Sequence, residues 1–361
     1  MKATETLHNL GQSIWLDNIT RALLDSGTLE RYIRELSVTG LTSNPTIFNA
    51  AIKASSDYDA SIRAKLGHNL SSDELFFELA LEDLTRATDL FRPIYDATNG
   101  KDGFVSLEVS PLLAYDTAQT IAQAKALFAK ANRPNLFIKI PGTPEGLPAV
   151  EEAIFAGVPI NVTLLFSKDQ YLATSEAYLR GLERRVEAGL SPKVASVASV
   201  FVSRWDRAVA SKVPLELQNQ LGVAVMQQTY KAYCELLESP RWKKLEALGA
   251  IPQRVLWAST GMKDPNASDV LYISELGAPL TVNTMPEGTL LAFADHGAVG
   301  SAMAKDGGNS LSKLEEFKAN GLDIDALAQK LQHDGAEAFV ASWHELLEVI
   351  AAKSALVGTA G

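Results

Sequence analysis

The stretch NLFIKIPGTPEGLPAVEEAIFAGVPINVTLL (135–165) contains two short apolar runs with an amphipathic segment between them. The runs NLFIKI and PINVTLL have the length of buried strands. The segment between them has apolar positions three and four residues apart, which is typical of a helix that covers a sheet. Strand, helix and strand in this order predict two parallel strands joined by a crossover helix. The stretch therefore predicts one unit of a parallel α/β sheet.

The same alternation of apolar runs and helical patterns extends along the chain. Eight such runs predict closure into a parallel (β/α)8 barrel, the α/β TIM-barrel fold. An open doubly wound sheet is the alternative, but no G-x-G-x-x-G or P-loop motif follows any run. The predicted strands are 13–17, 37–44, 104–110, 135–140, 159–165, 194–201, 254–260 and 279–284.

Two long connections, 45–103 and 204–253, carry further helical patterns and no low-complexity linker. We interpret them as helical insertions, so residues 1–361 are predicted to form a single barrel domain. Residues 285–354 are predicted to be C-terminal helices packed on the barrel. For Phe339 and Trp343 within them, we favour packing against the barrel over lining its mouth.

The chain is acidic, with a net charge of -10 and a pI near 5.1. This charge argues against nucleic acid or an anionic membrane as the partner. The single cysteine permits no intramolecular disulfide, and neither a signal-like N-terminus nor a run of 18 apolar residues occurs. The histidines lack metal-ligand spacing. A cytoplasmic protein without a bound metal ion is therefore expected.

Polar residues at the C-terminal ends of barrel strands mark the usual position of the active site. Lys139 lies between two isoleucines, and strand alternation places it inside the barrel together with Asn135 and Phe137. Asp17 and Glu108 lie near the ends of their own strands. The sequence thus predicts a buried lysine with two carboxyl groups nearby.

Such a lysine has two interpretations. It could be a structural ion-pair partner of Asp17 or Glu108. Alternatively, desolvation disfavours an ammonium, and the resulting neutral amine can attack a ketone while the two carboxyl groups divide the proton transfers. A structural pair needs only one carboxyl group, so the presence of two favours catalysis by Lys139.

Further polar residues at strand ends have functional and ordinary interpretations. Asp17 could instead cap a helix, and Asn44 precedes a proline, which is a common turn signal. Arg204 could pair with Asp206 at the surface instead of binding phosphate. The remaining candidates are Asn161 and Thr163 on the fifth strand, Ser199 on the sixth, and Ser259 and Lys263 after the seventh as anion ligands.

Several segments together resemble the transaldolases, members of the class I Schiff-base aldolase superfamily, and most closely their long bacterial branch. They are IWLDNI, LTSNPTIF, SLEV, IKIPGTPEGLPAVEEAI, NVTLLFS, SVASVFVSRWD, WAST and TVNTMPEGT. The resemblance implies transfer of a dihydroxyacetone unit from sedoheptulose 7-phosphate or fructose 6-phosphate to glyceraldehyde 3-phosphate or erythrose 4-phosphate. This is a reaction of the non-oxidative pentose phosphate pathway that needs no cofactor. Whether the protein is a monomer or a homodimer stays open.

The resemblance also implies roles for individual residues. Lys139 would form the Schiff base, Asp17 would exchange the proton of the C4 hydroxyl, and Glu108 would act through a water positioned by Thr163. Asn44 and Asn161 would bind the triose, while Ser199 and Arg204 would bind the phosphate. Other branches carry a second arginine after the seventh strand, where this chain has WASTGMKDP, so Lys263 is the candidate replacement.

Three rival functions remain. A simple aldolase would release dihydroxyacetone to solvent, whereas Glu108 with Thr163 beside it favours transfer. A phosphosugar-binding barrel would lack catalysis, which the combination of Asp17, Glu108 and Lys139 argues against. A scaffold protein predicts no convergent polar groups at strand ends.

Overall fold

The computed structural model describes residues 2–359, and its strands form one closed sheet. The strands are β1 (Ser13–Asp17), β2 (Val38–Thr42), β3 (Val105–Glu108), β4 (Leu136–Pro141), β5 (Ile160–Leu165), β6 (Ser196–Phe201), β7 (Arg254–Ala258) and β8 (Val282–Met285). Each pairs in parallel with the next strand along the chain, and β8 pairs with β1. The predicted α/β fold, a parallel (β/α)8 barrel, is confirmed.

Six strands are shorter than predicted, and the local backbone explains the difference for β2, β7 and β8. β2 stops before Asn44 because this residue caps the next helix, in which Pro45 is the first residue. β7 stops before Ser259, whose φ of 56° lies in the left-handed region. β8 starts after Leu280, which has a φ of 59°. At these two positions the left-handed backbone interrupts the pairing of the strand, so composition alone overestimates these lengths.

Helices cover the outside of the barrel and fill the long connections. They are α1 (Ala3–Leu10), α2 (Arg21–Asp25), α3 (Thr28–Leu36), α4 (Pro45–Ala54), α5 (Asp59–Lys65), α6 (Ser72–Ala97), α7 (Thr117–Ala131), α8 (Gly146–Phe155), α9 (Lys168–Glu187), α10 (Ser203–Val209), α11 (Leu221–Glu238), α12 (Pro240–Ala247), α13 (Leu271–Glu275), α14 (Glu287–His296), α15 (Ser310–Ala319) and α16 (Ile324–Thr359). Short 3-10 helices occupy 66–68, 111–113 and 215–217.

Strand register sets which side chains meet inside the barrel. Glu108 of β3 is paired with Lys139 of β4, and Lys139 is paired in turn with Asn161 of β5. The Asn161 side-chain nitrogen donates to the Ser106 hydroxyl at 3.1 Å, so these residues face the same interior. The polar residues on β3 to β5 therefore lie side by side within the barrel.

The N-terminal end of the barrel is closed by packing. Trp15 of β1 is fully buried, and a Cβ atom placed on Gly40 of β2 would lie 2.5 Å from its ring. Glycine is therefore required where β2 passes the indole. Arg254 and Asp102 form a buried ion pair at the same end. This packing leaves the open side of the barrel at the C-terminal strand ends.

The long C-terminal helix α16 packs on α4, α5 and α6 and also contacts β5. Trp343 lies edge-on against Phe76 of α6, with ring centroids 4.9 Å apart. Within residues 2–359, no helix has both the length and the apolar character needed to cross a membrane. The helix thus reaches from the outer layer to the C-terminal ends of the strands.

Candidate active site

A small cavity of about 110 Å³ opens at the C-terminal ends of the strands. Seven of the predicted site residues line it: four lie on β1, β4, β5 and β6, and three lie in the segments that follow β2, β6 and β7. The complete lining is Asp17, Thr42, Asn44, Lys139, Thr163, Ser199, Phe201, Arg204, Ala258, Ser259, Thr284 and Phe339. Residues that are distant in sequence thus converge where a parallel barrel places its active site.

Lys139 lies at the base of the cavity and is only 5% exposed. Its Nζ donates to Glu108 Oε2 at 3.1 Å and to the backbone carbonyl of Ser43 at 3.3 Å. An ammonium group has three N–H donors, so one donor remains after these two hydrogen bonds; a neutral amine has a lone pair instead. The amine is therefore buried, held in place and open to the cavity.

Glu108 is buried and does not line the cavity, but its carboxylate accepts the hydrogen bond from Lys139. Burial raises the pKa of its carboxyl group, and the nearby Lys139 charge opposes that rise. Its second oxygen, Oε1, has no hydrogen-bond partner among the described residues, and neither does the buried Thr163 hydroxyl. Unpaired buried oxygens are costly, so their occurrence in two residues around one lysine points to a functional site.

Asp17 is half-buried at the end of β1 and accepts a hydrogen bond from the Thr42 hydroxyl at 2.9 Å. Burial raises the pKa of Asp17, while Lys139, the Thr42 hydrogen bond and Lys263 oppose the rise. The alternative interpretation as a helix cap is wrong, because Thr20 caps α2. Asp17 is thus a second carboxyl group within electrostatic reach of Lys139.

Asn44 combines both interpretations that the sequence allowed. Its side-chain oxygen accepts from the Ile47 backbone N–H at 3.0 Å and caps α4, while the residue also lines the cavity. Asn161 lies deeper, where its oxygen accepts from the Ser199 hydroxyl at 2.7 Å. One asparagine therefore borders the cavity directly, and the other fixes a serine that does.

Arg204 lies in the first turn of α10 and makes no ion pair with any carboxylate among residues 2–359. The alternative pairing with Asp206 is wrong, because Asp206 instead accepts from the Tyr272 hydroxyl and the Leu221 N–H. Burial lowers the pKa of Arg204, and Arg207 lowers it further. A half-buried guanidinium without a carboxylate partner is suited to bind an anion.

Ser259 and Lys263, both predicted anion ligands, line two different pockets. Ser259 lines the cavity, and its hydroxyl lies 2.9 Å from that of Ser203. Lys263 is exposed and lines a neighbouring groove of about 560 Å³ together with Arg207. The lysine thus lies outside the cavity, although its charge still acts on Asp17.

The sequence interpretation missed several cavity residues. Thr42 and Thr284 face each other at 2.6 Å, and strand alternation combined with the β1–β2 register could have indicated Thr42. The preference for packing was wrong for Phe339, which lines the cavity, while Trp343 does pack against α6. No local pattern distinguishes these two aromatic residues. Phe339 reaches the site only because of the path of α16.

A closed parallel barrel with a buried lysine amine among carboxyl groups at its C-terminal strand ends defines the chain as a barrel enzyme. Within residues 2–359, no group of three or more histidine, cysteine or acidic residues is arranged to hold a metal ion.

Comparison with known proteins places the chain more closely. Residues 14–350 match the model of the transaldolase/fructose-6-phosphate aldolase family. The chain is 44% identical over 353 residues to a transaldolase of Saccharopolyspora erythraea, covering 96% of both chains. It is 43% identical over 347 residues to a transaldolase of Mycolicibacterium smegmatis, covering 94% of both, and 40% identical over 357 residues to transaldolase 2 of Nostoc punctiforme, covering 93% of both. The chain belongs to the transaldolase/fructose-6-phosphate aldolase family, and it is a transferase with transaldolase activity.

Proposed function

We propose that the enzyme moves a dihydroxyacetone unit from a ketose phosphate to an aldose phosphate while the unit is bound to Lys139 as a Schiff base. The donors are sedoheptulose 7-phosphate or fructose 6-phosphate, and the acceptors are glyceraldehyde 3-phosphate or erythrose 4-phosphate. The observation that carries the proposal is the buried Lys139 amine, which opens to the cavity beside a carboxyl group with one unpaired oxygen. In the buried pair of Asp102 with Arg254, by contrast, both carboxylate oxygens accept hydrogen bonds.

In the first half-reaction the Lys139 amine attacks the C2 ketone of the donor, and water leaves to give an iminium ion. Glu108 exchanges the protons of these steps through a water held by Thr163. This role is supported by the burial of Glu108, which raises the pKa of its carboxyl group and so makes uptake of a proton easier than at an exposed glutamate. The unpaired oxygens of Glu108 and Thr163 provide the hydrogen-bonding capacity for that water.

Asp17 then takes the proton of the C4 hydroxyl, and the C3–C4 bond breaks. The electron pair of that bond moves into the iminium group and forms an enamine, while C4 leaves as the aldehyde carbon of an aldose phosphate. Carboxylate charge on Asp17 is favoured by the Thr42 hydrogen bond and by Lys139. These contacts support the role of Asp17 as a base despite its partial burial.

The second half-reaction reverses these steps with a new aldehyde. C3 of the enamine attacks the acceptor carbonyl carbon, and Asp17 returns the proton to the oxygen that forms. Water then adds to the iminium carbon and releases the longer or shorter ketose from Lys139. All groups in this sequence are side chains of the barrel and water, so the proposal uses no cofactor and no metal ion.

Substrate binding is assigned to the polar lining of the cavity. Arg204 and Ser199 bind the phosphate, which is supported by the position of both in the cavity lining and by the half-buried guanidinium, which pairs with no carboxylate in the described part of the chain. Asn44 in the lining and Asn161, which lies deeper and accepts a hydrogen bond from Ser199, bind the hydroxyl groups of the triose. Ser259 contributes a further hydroxyl, and Lys263 acts from the neighbouring groove as a more distant cation in place of a second arginine.

The test is mass spectrometry after borohydride reduction in the presence of fructose 6-phosphate, because reduction converts an imine into a stable amine. A dihydroxyacetone-sized adduct is expected on the peptide that contains Lys139. Lys139→Ala serves as the matched control and should give no adduct. Folded wild-type enzyme that binds the sugar without forming an adduct would instead support a phosphosugar-binding barrel.

Transfer is distinguished from simple aldol cleavage by the fate of the three-carbon unit. With erythrose 4-phosphate present, formation of sedoheptulose 7-phosphate should exceed release of dihydroxyacetone. The reverse ratio would support the aldolase alternative.

We also propose the domain organisation and the setting of the enzyme. Residues 1–361 form one barrel domain with 285–354 as its C-terminal helices. The enzyme is cytoplasmic, acts in the non-oxidative pentose phosphate pathway, and is a monomer or a homodimer.

A further inference from the structure

One face of α16 forms the roof of the cavity. Gln332, Gly335 and Phe339 are spaced three and four residues apart, so they lie on the same side of the helix. The side-chain nitrogen of Gln332 donates to the carbonyls of Gly142 and Leu164, at 2.9 Å each. Because those carbonyls follow β4 and belong to β5, the helix is attached directly to the strands that carry Lys139 and Thr163.

Gly335 lets this roof lie close to the site. A Cβ atom placed on it would lie 2.9 Å from Leu164 and 3.2 Å from the Arg204 guanidinium. Leu164 is fully buried at the end of β5, and its carbonyl is held by Gln332. The absence of a side chain at Gly335 therefore makes room for the guanidinium beneath the helix.

Phe339, one turn further along, covers the reactive end of the cavity. The Lys139 Nζ lies 5.6 Å from the centre of its ring, and the Arg204 Cζ lies 5.9 Å from it. The side chain is 7% exposed, so it separates both groups from bulk solvent. An aromatic face attracts both cations, and it can neither donate a proton to the enamine nor bring water to it.

We propose that Phe339 is a specificity-determining residue that keeps the enamine on Lys139 for transfer instead of hydrolysis. This inference rests on the proposed Schiff-base mechanism. Release of dihydroxyacetone requires a proton at C3 of the enamine, addition of water to C2 of the resulting iminium, and cleavage of the C–N bond, which returns the amine of Lys139. Exclusion of water from the covered cavity opposes these steps.

The same ring also favours the competing transfer step. An acceptor aldehyde carries a phosphate, and the proposed ligand of that phosphate is Arg204, whose guanidinium packs between Phe339 and Phe201. Loss of the Phe339 ring therefore admits water and also loosens the phosphate ligand. Both effects raise the ratio of dihydroxyacetone release to transfer.

The experiment measures dihydroxyacetone release from fructose 6-phosphate and sedoheptulose 7-phosphate formation with erythrose 4-phosphate, for wild type and variants. Phe339→Ala should raise the ratio of release to transfer about tenfold. Phe339→Leu keeps an apolar side chain in the roof and should raise it less, which covers the case in which the alanine variant does not fold. Leu346→Ala removes a buried apolar side chain of α16 outside the cavity and should leave the ratio unchanged.

The outcomes separate the inference from the mechanism on which it rests. If Phe339→Ala and Phe339→Leu form the borohydride adduct on Lys139 but keep the wild-type ratio, the role of Phe339 is wrong and the mechanism stands. If Leu346→Ala raises the ratio equally, general loosening of α16 is responsible and the inference is again wrong. If the wild type forms no adduct, the Schiff-base mechanism fails and this inference fails with it.

Discussion

The barrel interior contains a buried ion pair near each end, and the two pairs differ in how completely their oxygens are hydrogen-bonded. In the lower pair, at the N-terminal strand ends, Asp102 accepts from the Trp15 indole at 2.9 Å and from the Gly103 N–H at 3.0 Å. It also accepts from the Ser13 hydroxyl and from the Arg254 guanidinium at 3.4 Å. Both carboxylate oxygens therefore have partners.

In the upper pair, Lys139 is the one hydrogen-bond partner of the Glu108 carboxylate within residues 2–359, and it contacts only one of the two oxygens. Both pairs are almost completely buried, so burial does not distinguish them. Arginine in the lower pair stays charged and is held by several contacts, whereas lysine in the upper pair can lose a proton and act as a nucleophile. Similar burial thus serves stability at one end and, as we propose, chemistry at the other.

The largest effect is expected when the cation of the upper pair, Lys139, is removed. Lys139→Met keeps the shape of the side chain but has no amine, so transaldolase turnover should fall by about four orders of magnitude or more. Stability should change little, because Glu108 has a raised pKa and can take up a proton when its partner is lost. Turnover assays and urea unfolding of the same preparation test both statements. Retention of more than about one per cent of the turnover would contradict the role of Lys139.

The second prediction concerns the other carboxyl group of the upper site. Asp17→Asn cannot exchange the C4 hydroxyl proton, and kcat should fall by about two to four orders of magnitude. In the wild type, Asp17 must be a carboxylate. Because burial raises its pKa, kcat/KM should fall with decreasing pH at a value above the ordinary 3.8. A pH profile of kcat/KM with sedoheptulose 7-phosphate checks this.

The hydrogen bond from Thr42 offers a separate test of the pKa of Asp17. Its hydroxyl donates to Asp17 and thereby lowers the pKa of the carboxyl group. Thr42→Val removes that hydrogen bond at nearly constant volume, so the acid side of the kcat/KM profile should move to higher pH. An unchanged profile would show that another group, such as Glu108, controls it.

Much of this arrangement follows from the sequence, and the reasons are physical. A strand buried on both faces has to be apolar along its length, so a charged residue such as Lys139 is conspicuous there. Strand alternation then predicts its inward direction, which its contact with Glu108 agrees with. The fold and the position of the upper pair were therefore predictable from local pattern.

Other parts of the site depend on tertiary geometry that no local pattern contains. Phe339 lies 200 positions after Lys139 in a helix with many apolar residues, and only the path of α16 separates it from Trp343. The lower pair is equally hidden, because Asp102 precedes its strand and resembles an ordinary turn residue. Lys263 comes four residues after Ser259, which has a left-handed backbone, and it lines the neighbouring groove instead of the cavity. Composition predicts neither feature.

The third prediction addresses the lower pair. Arg254→Met leaves Asp102 buried without a cation, which should lower the unfolding free energy by about 3–5 kcal/mol. The kcat of the folded fraction should stay the same, because this pair lies at the opposite end of the barrel from the cavity. Arg133→Met is the matched control, since Arg133 pairs with Asp89 at the surface, and it should cost about 1 kcal/mol or less. A large loss of kcat in Arg254→Met would contradict the division between the two ends.

The fourth and smallest prediction uses a buried carboxyl group that differs from both pairs. Asp206 accepts from the Tyr272 hydroxyl at 2.8 Å and from the Leu221 and Gly222 N–H groups, but it pairs with no cation among the described residues. Burial raises its pKa from 3.8 to about 6. The hydrogen bonds to Asp206 thus do not fully offset the cost of burying its charge.

The sign of the effect on stability follows from proton binding. Between about pH 4 and pH 6 the folded protein binds more protons at Asp206 than the unfolded chain does, so the unfolding free energy should fall by about 3 kcal/mol across this range as pH rises. Asp206→Asn cannot ionise and should reduce this slope; its amide oxygen can still accept from the Leu221 N–H, and its NH2 group can donate to the Tyr272 hydroxyl oxygen. Part of the slope should remain, because the raised pKa values of Asp17 and Glu108 act in the same direction.

The control is Asp169→Asn, which changes an exposed carboxyl group and should leave the slope unchanged. Urea unfolding at each pH measures the slope for all three proteins. An equal slope in Asp206→Asn and wild type would mean that Asp206 stays ionised when buried, and hydrogen bonds would then suffice to hold a carboxylate without a cation.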